Sequence, residues 1–450
     1  MTTIIAVYLC VLTASLFVLM LRQHLNGTCE LISIRNVAIL GFIIFQLTSP
    51  AISLFSESFR PYYIIDPART GLQFAAMTSV FLVVALWSYR RGWGATRLAQ
   101  LVPRSWATPN DPSLLLLSVI VTVLAAALRF GVPVPLIGLV AYHVSSGLAA
   151  VASGLVAWVW GRRLLNPLLL CFGVLIVAAN FGIVMSGAFG RRGLVAVGAA
   201  LIWGMYYSHW RHLATPAILS RLAIVSIPPL LVVALYTSVR HSLQHDRTMR
   251  EHVREMTAHG NFGEGLIGLA GGQNVGSVSM WLIQAYPESF DYRHLMTVRY
   301  FFFYPIPRMW WPEKPRGLGQ MIASQAELPD VDQKALTIGP GVIGTAAAEG
   351  GWYALLIYAV LGGLFLRFFD QIVVINHSSP LVVLPVGAAL GEVLGLARGG
   401  VGSFAFITVM VVAGSLLCMV VISKFVERTM WGNAGATDDQ TTDDYDNVEP

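Results

Sequence analysis

What this chain lacks above all is charge. Asp, Glu, Lys and Arg make up only 12% of its 450 residues, against 56% hydrophobic side chains. The apolar residues also come in long runs rather than in periodic stripes. A soluble globular domain is thereby excluded, and a polytopic membrane protein with the bilayer as its partner is left. Lysine is confined to Lys314, Lys334 and Lys424, so nearly all the positive charge is arginine; no nucleic-acid partner is expected. Cysteine is scarce too: Cys10, Cys29, Cys171 and Cys418 stand alone in or beside apolar runs, with no C-x-x-C, and read as packing residues without a redox or zinc role. There is no H-E-x-x-H, and neither a metal nor a cofactor is expected. The first apolar run has no positive n-region before it and no small-residue cleavage site after it, so it should stay as a helix.

Apolar runs long enough to span about 30 Å at about 1.5 Å per residue cover residues 3–21, 37–55, 70–89, 113–130, 134–160, 167–186, 193–208, 217–239, 339–368, 380–396 and 402–423. An all-α integral membrane fold of about eleven (about ten to twelve) transmembrane helices follows. Pro228 and Pro229 predict a kink or break in the eighth helix. The glycine-rich stretch 339–351 predicts a re-entrant piece before a true span that starts near Trp352. Four regions result: an N-terminal bundle over 1–239, a large loop over 240–338, C-terminal helices over 339–430, and an acidic, pattern-free tail over 431–450.

Arginine and lysine in the short loops (Arg90, Arg91, Arg97, Arg104, Arg162, Arg163, Arg211, Arg221, Lys424, Arg428) fall on one side if the N-terminus is outside. The loop over 240–338 is then extracytoplasmic. It holds ten cations and ten acids, so its arrangement has to matter rather than its net charge. Arg191, Arg192, Arg240, Arg308, Lys314 and Arg398 break the positive-inside pattern around one mouth. Interfacial snorkelling accounts for single arginines, whereas a gathered set points to a shared anionic ligand. Residues 240–259 read as a surface helix on which Arg240, Arg247, Arg250 and Arg254 fall within about 80° of one another. His241 and the other histidines form a second stripe. Asp330 and Asp332 make a D-x-D that reads as a solvated loop. Glu349 and Glu392 are acids within apolar helices and therefore functional candidates, Glu349 the preferred one because it follows the outer loop directly. Residues 300–315, Y-F-F-F-Y-P-I-P-R-M-W-W-P-E-K-P, form a rigid aromatic and cationic shelf. Tyr304, Trp310 and Trp311 suit either a membrane-interface belt or the stacking of sugar rings.

The run P-I-P-R-M-W-W-P-E-K-P, with T-I-G-P-G-V-I-G-T-A-A-A-E-G-G-W after it, the earlier G-R-R-G-L and the late A-R-G-G, resembles the bacterial oligosaccharide repeat-unit polymerases, the Wzy-type O-antigen and exopolysaccharide polymerases. The likeness spans roughly residues 189–403, and its specific part is P-x-P-R-x-x-W-P-x-K-P. It implies a GT-C-like helical glycosyltransferase of the bacterial inner membrane, active at the periplasmic face. Such an enzyme moves a growing glycan from undecaprenyl diphosphate to a new lipid-linked repeat unit, beside a flippase and a chain-length regulator of the same pathway. Guanidinium forks can hold the leaving diphosphate without a metal. Arg191, Arg192, Arg240, Arg308 and Arg398, assisted by Lys314, are the expected diphosphate ligands; Glu349 or His241 is the expected base. An O-antigen ligase would share the arginines, a transporter would need inverted repeats, and a scaffold would need neither.

Overall fold

The computed structural model describes residues 1–102, 109–131, 135–186, 191–239, 249–270, 274–328 and 337–430. These residues contain helices and no strand. The N-terminal half begins with α1 (Thr2–Leu25) and α2 (Ile34–Phe42), which runs through a π-helical turn (Ile43–Thr48) into α3 (Ser49–Ser56). Then come α4 (Pro67–Arg91), α5 (Trp93–Ala99), α6 (Asp111–Phe130), α7 (Pro135–Trp160), α8 (Pro167–Met185), α9 (Arg191–Ser208) and α10 (Thr215–Val239). The large loop carries α11 (Met249–His259), α12 (Phe262–Ala270), α13 (Val275–Ala285), α14 (Met296–Phe303) and α15 (Leu318–Gln325). The chain returns through α16 (Gly341–Gly350), α17 (Trp352–Ile375), α18 (Pro380–Gly387), α19 (Leu390–Gly395) and α20 (Val401–Met430).

Nine helices among the described residues are long and apolar enough to cross a membrane. The two expected spans outside that set are α9 and the broken pair α18–α19. The pair α18–α19 is apolar but shorter than the spans, whereas α9 opens with Arg191 and Arg192 and carries Trp203 and Tyr206 buried against protein. Trp203 is fully buried, and its indole N–H donates to the Val383 carbonyl of α18 at 3.0 Å.

The turn between α16 and α17 is where the sequence places it. Gly350 and Gly351 take φ of +152° and +62°, a path open to glycine, and the span starts at Trp352. At Pro228 and Pro229 the helix α10 runs on unbroken, with Pro229 packed where Gly198 of α9 leaves room.

One end of the bundle collects the arginines that follow α4, α7 and α9. There Arg97 lies 3.6 Å over the Trp93 ring, Arg367 lies 5.4 Å over Tyr89, and Arg162 pairs with Asp111 at 3.2 Å. At the same end Asp370 of α17, inaccessible among helices, accepts the Ile34 N–H at 2.7 Å, the Arg35 N–H at 3.2 Å and the Tyr89 hydroxyl at 2.8 Å. It thus serves the free N–H groups at the start of α2 from another helix, as a capping residue would from within. The large loop folds over the opposite end.

Candidate functional site

At the loop end a cavity of about 390 Å³ lies between the second span, α9, α10 and the α19–α20 turn. Its walls are Leu40, Ile44 and Phe45 from one side and Val195, Pro229 and Leu230 from the other. Among the apolar lining residues stand two cations, Arg192 and Arg398. Leu40 and Leu230 in this wall are 38% and 44% exposed, so the apolar lining is open rather than sealed. Arg192 comes from the first turn of α9; Arg398 comes from the tight A-R-G-G turn, where Gly399 admits the Phe404 ring.

Arg192 donates to Glu392 at 3.1 Å, and its guanidinium lies 4.4 Å over Phe404. Tyr304 and Tyr142 are within electrostatic reach of it. Burial pushes the Tyr304 phenol up to about 12, against the pull of the Arg192 charge, so Tyr304 keeps its proton at neutral pH. Tyr304 packs 5.5 Å from Phe406 of α20, the ring that also meets Phe301 at 5.6 Å. The shelf is thereby docked beside Arg192.

The shelf itself has an internal logic. Prolines remove backbone donors, and its carbonyl oxygens still need partners. Lys314, only 7% exposed, supplies them: its ammonium donates to the Tyr304 carbonyl at 2.9 Å and the Ile306 carbonyl at 3.0 Å, between the rings of Tyr300 and Tyr304 at 5.5 and 5.7 Å. Arg308 donates in turn to the Lys314 carbonyl at 2.7 Å. Burial first, and the Arg308 charge second, hold the Lys314 amine below its ordinary value. Lys314 is thus the tie of the shelf, turned inward, and not the phosphate ligand expected from its charge. Arg308 stays exposed with one amino group committed. Trp310 is 62% exposed, and Trp311 packs at 5.1 Å on Phe303.

Glu349 differs from its expected role as well. It is 1% exposed. Its carboxylate accepts the Thr297 N–H at 2.8 Å, the Thr297 hydroxyl at 2.7 Å, and the Tyr358 hydroxyl. Thr297 is in the first turn of α14, so Glu349 caps the helix that leads into the shelf. A carboxylate sealed in this way does not reach the arginines of the cavity; the acid that does is Glu392. Arg240 and His241 lie outside the described residues, as do the side chain of Arg191, Asp330, Asp332 and the tail over 431–450. Of the expected cation set the structure brings Arg192 and Arg398 together on one cavity, with Arg308 on the shelf docked beside them.

Arg129 was not singled out from the sequence. It ends α6 at the same mouth, 3.9 Å over the Tyr142 ring, with one amino group bonded to the Val184 carbonyl and the other buried without a partner. The positive-inside pattern that flagged the other arginines applies equally to L-R-F at this helix end and would have found it. No group of three His, Cys, Asp or Glu side chains suited to a metal occurs among the described residues. Comparison of the chain with protein-family models, with curated proteins and with solved structures finds no match.

Proposed function

We propose that this chain is a membrane glycosyltransferase that joins lipid-linked oligosaccharide repeat units, working at the extracytoplasmic face of a bacterial inner membrane. The observation that carries the reading is the cavity: open apolar walls, and two arginines, Arg192 and Arg398, among the residues that line it. Such a site suits an amphiphile whose head is anionic, and an isoprenoid diphosphate has that form.

In the proposed reaction an acceptor hydroxyl oxygen bonds to the anomeric carbon of the donor sugar. The bond from that carbon to the diphosphate oxygen breaks, and its electron pair leaves with the diphosphate. Arg192 and Arg398, with Arg308 from the shelf, hold the charge that develops there. When the diphosphate takes over Arg192, Glu392 loses its 3.1 Å partner and becomes the carboxylate placed to receive the acceptor's proton. The exposed Trp310 offers a face to a sugar ring near the membrane surface.

The test is a deletion strain complemented with wild type, Arg192→Ala or Arg398→Ala, with lipid-linked and surface glycans resolved on gels and membrane insertion checked by blot. Single repeat units on lipid in the deletion strain, and with both inserted variants, are expected. Full-length polymer in the deletion strain would end the polymerase reading. Polymer that accumulates on the lipid without reaching its final acceptor would transfer the site to a ligase.

A further inference from the structure

The second span changes pitch at the wall of the cavity. Between α2 and α3 it passes through the π turn Ile43–Thr48, and such turns inside helices recur at functional sites. Ile44 and Phe45 of this turn line the cavity. The next residue, Gln46, is fully buried, and its Nε2 donates to the Ala397 carbonyl at 2.7 Å. The same short stretch is held from a third element: the Val342 N–H donates to the Ala397 carbonyl at 3.2 Å, and the Gly341 N–H to the Arg398 carbonyl at 3.0 Å. Gly341 has φ +71°, and a Cβ on it would stand 2.3 Å from Gln46 Nε2 and 2.6 Å from Ser279 Oγ, so the meeting of the three segments depends on its being glycine.

The other end of the Gln46 amide, Oε1, is buried without a partner. An unmatched buried acceptor is destabilising. A leucine or methionine would fill this space with no such cost, so packing does not account for glutamine here. What glutamine supplies and they cannot is the donor to the peptide that carries Arg398.

We propose that Gln46 is a positioning residue: its side-chain amide fixes the Ala397–Arg398 peptide and so sets where the Arg398 guanidinium enters the cavity to meet a phosphate group. The identity of that phosphate, an isoprenoid diphosphate, rests on the function proposed above; the positioning does not.

Two arms test it. In the first, Cys10, Cys29, Cys171 and Cys418 are replaced by serine, and Arg398→Cys or, on another wall of the cavity, Val195→Cys is labelled with a charged thiosulfonate. Gln46→Met is expected to change the labelling rate at position 398 roughly fivefold, the worth of one hydrogen bond, and to leave position 195 within about twofold. Gln46→Leu, which also removes the donor, should act likewise. Equal rates at 398 with and without these changes overturn the proposal.

In the second arm, the full chain in lipid nanodiscs is titrated with farnesyl diphosphate and with uncharged farnesol. Gln46→Met should weaken the diphosphate roughly fivefold, leave farnesol unaffected, and add nothing to the loss caused by Arg398→Gln. Equal weakening of both probes, or additive losses, would show a merely structural residue. A wild-type chain that ignores farnesyl diphosphate counts against the function reading alone, and the labelling arm then decides the role of Gln46.

Discussion

Replacing Glu349 separates the role expected from its sequence from the role its surroundings give it. Glu349→Ala strands three buried donors: the Thr297 N–H, the Thr297 hydroxyl and the Tyr358 hydroxyl. At about 1–3 kcal/mol for each buried donor left unpaired, and with the two hydroxyls free to rotate toward other acceptors, the loss should be about 3–6 kcal/mol. Glu349→Gln is a much smaller insult. Its Oε1 still accepts the Thr297 N–H, and its amide can donate to either hydroxyl oxygen. The cost is then about 1–2 kcal/mol, the difference between a charged and a neutral acceptor. The assay is unfolding in mixed micelles followed by tryptophan fluorescence, together with the glycan gel described above. Glu349→Ala should fold poorly, whereas Glu349→Gln should fold and still make polymer. A Glu349→Gln protein with wild-type stability and no polymer would place Glu349 in the chemistry and refute the capping role. An Ala variant of unchanged stability would refute the energetics.

At the other end of α17, Asp370→Ala removes the acceptor of two backbone N–H groups and a phenol; a loss of about 3–5 kcal/mol is expected, with Asp370→Asn intermediate, both read as the midpoint of unfolding. Lys314 predicts a pH effect. Because its folded value is depressed, the unfolded chain binds more protons between that value and the ordinary 10.5. Stability should therefore rise with pH through that window, and Lys314→Met should flatten the rise in an unfolding series; a slope of the same size in the variant would clear Lys314 of the effect.

The spans were legible because lipid imposes a one-dimensional rule, a long apolar run, that needs no knowledge of neighbours. That rule is weakest where a helix faces protein, as α9 does, or where a run is broken into short helices, as in α18–α19; both read as spans yet fall outside the nine that are long and apolar enough. Gly350 and Gly351 announced their break because backbone freedom is a property of the residue itself. Site roles were less legible. Lys314 looked like a ligand because charge is visible in sequence, while the carbonyls that absorb it belong to Tyr304 and Ile306 and are invisible there. Glu349 was rightly marked as an acid that needs a partner, but its first partner, Thr297, is 52 positions away. The pairing of Arg192 with Glu392 crosses 200 positions and depends on how α9 meets α19. Gln46 carried no signal at all, since a lone glutamine in an apolar run does not reveal a π turn.

The two carboxylates that cap foreign helices also bear on how the chain is made. Ile34, at the start of α2, is synthesised 336 positions before Asp370, which completes its hydrogen bonding. Through all the intervening translation the second span has to be held by something else: water at the membrane surface, lipid headgroups or the insertion machinery. Likewise the shelf cannot set α14 until α16 and α17 have followed it. The last helices to leave the ribosome are therefore the ones that lock the first, and a truncation within α17 should leave a protein that is inserted but not assembled.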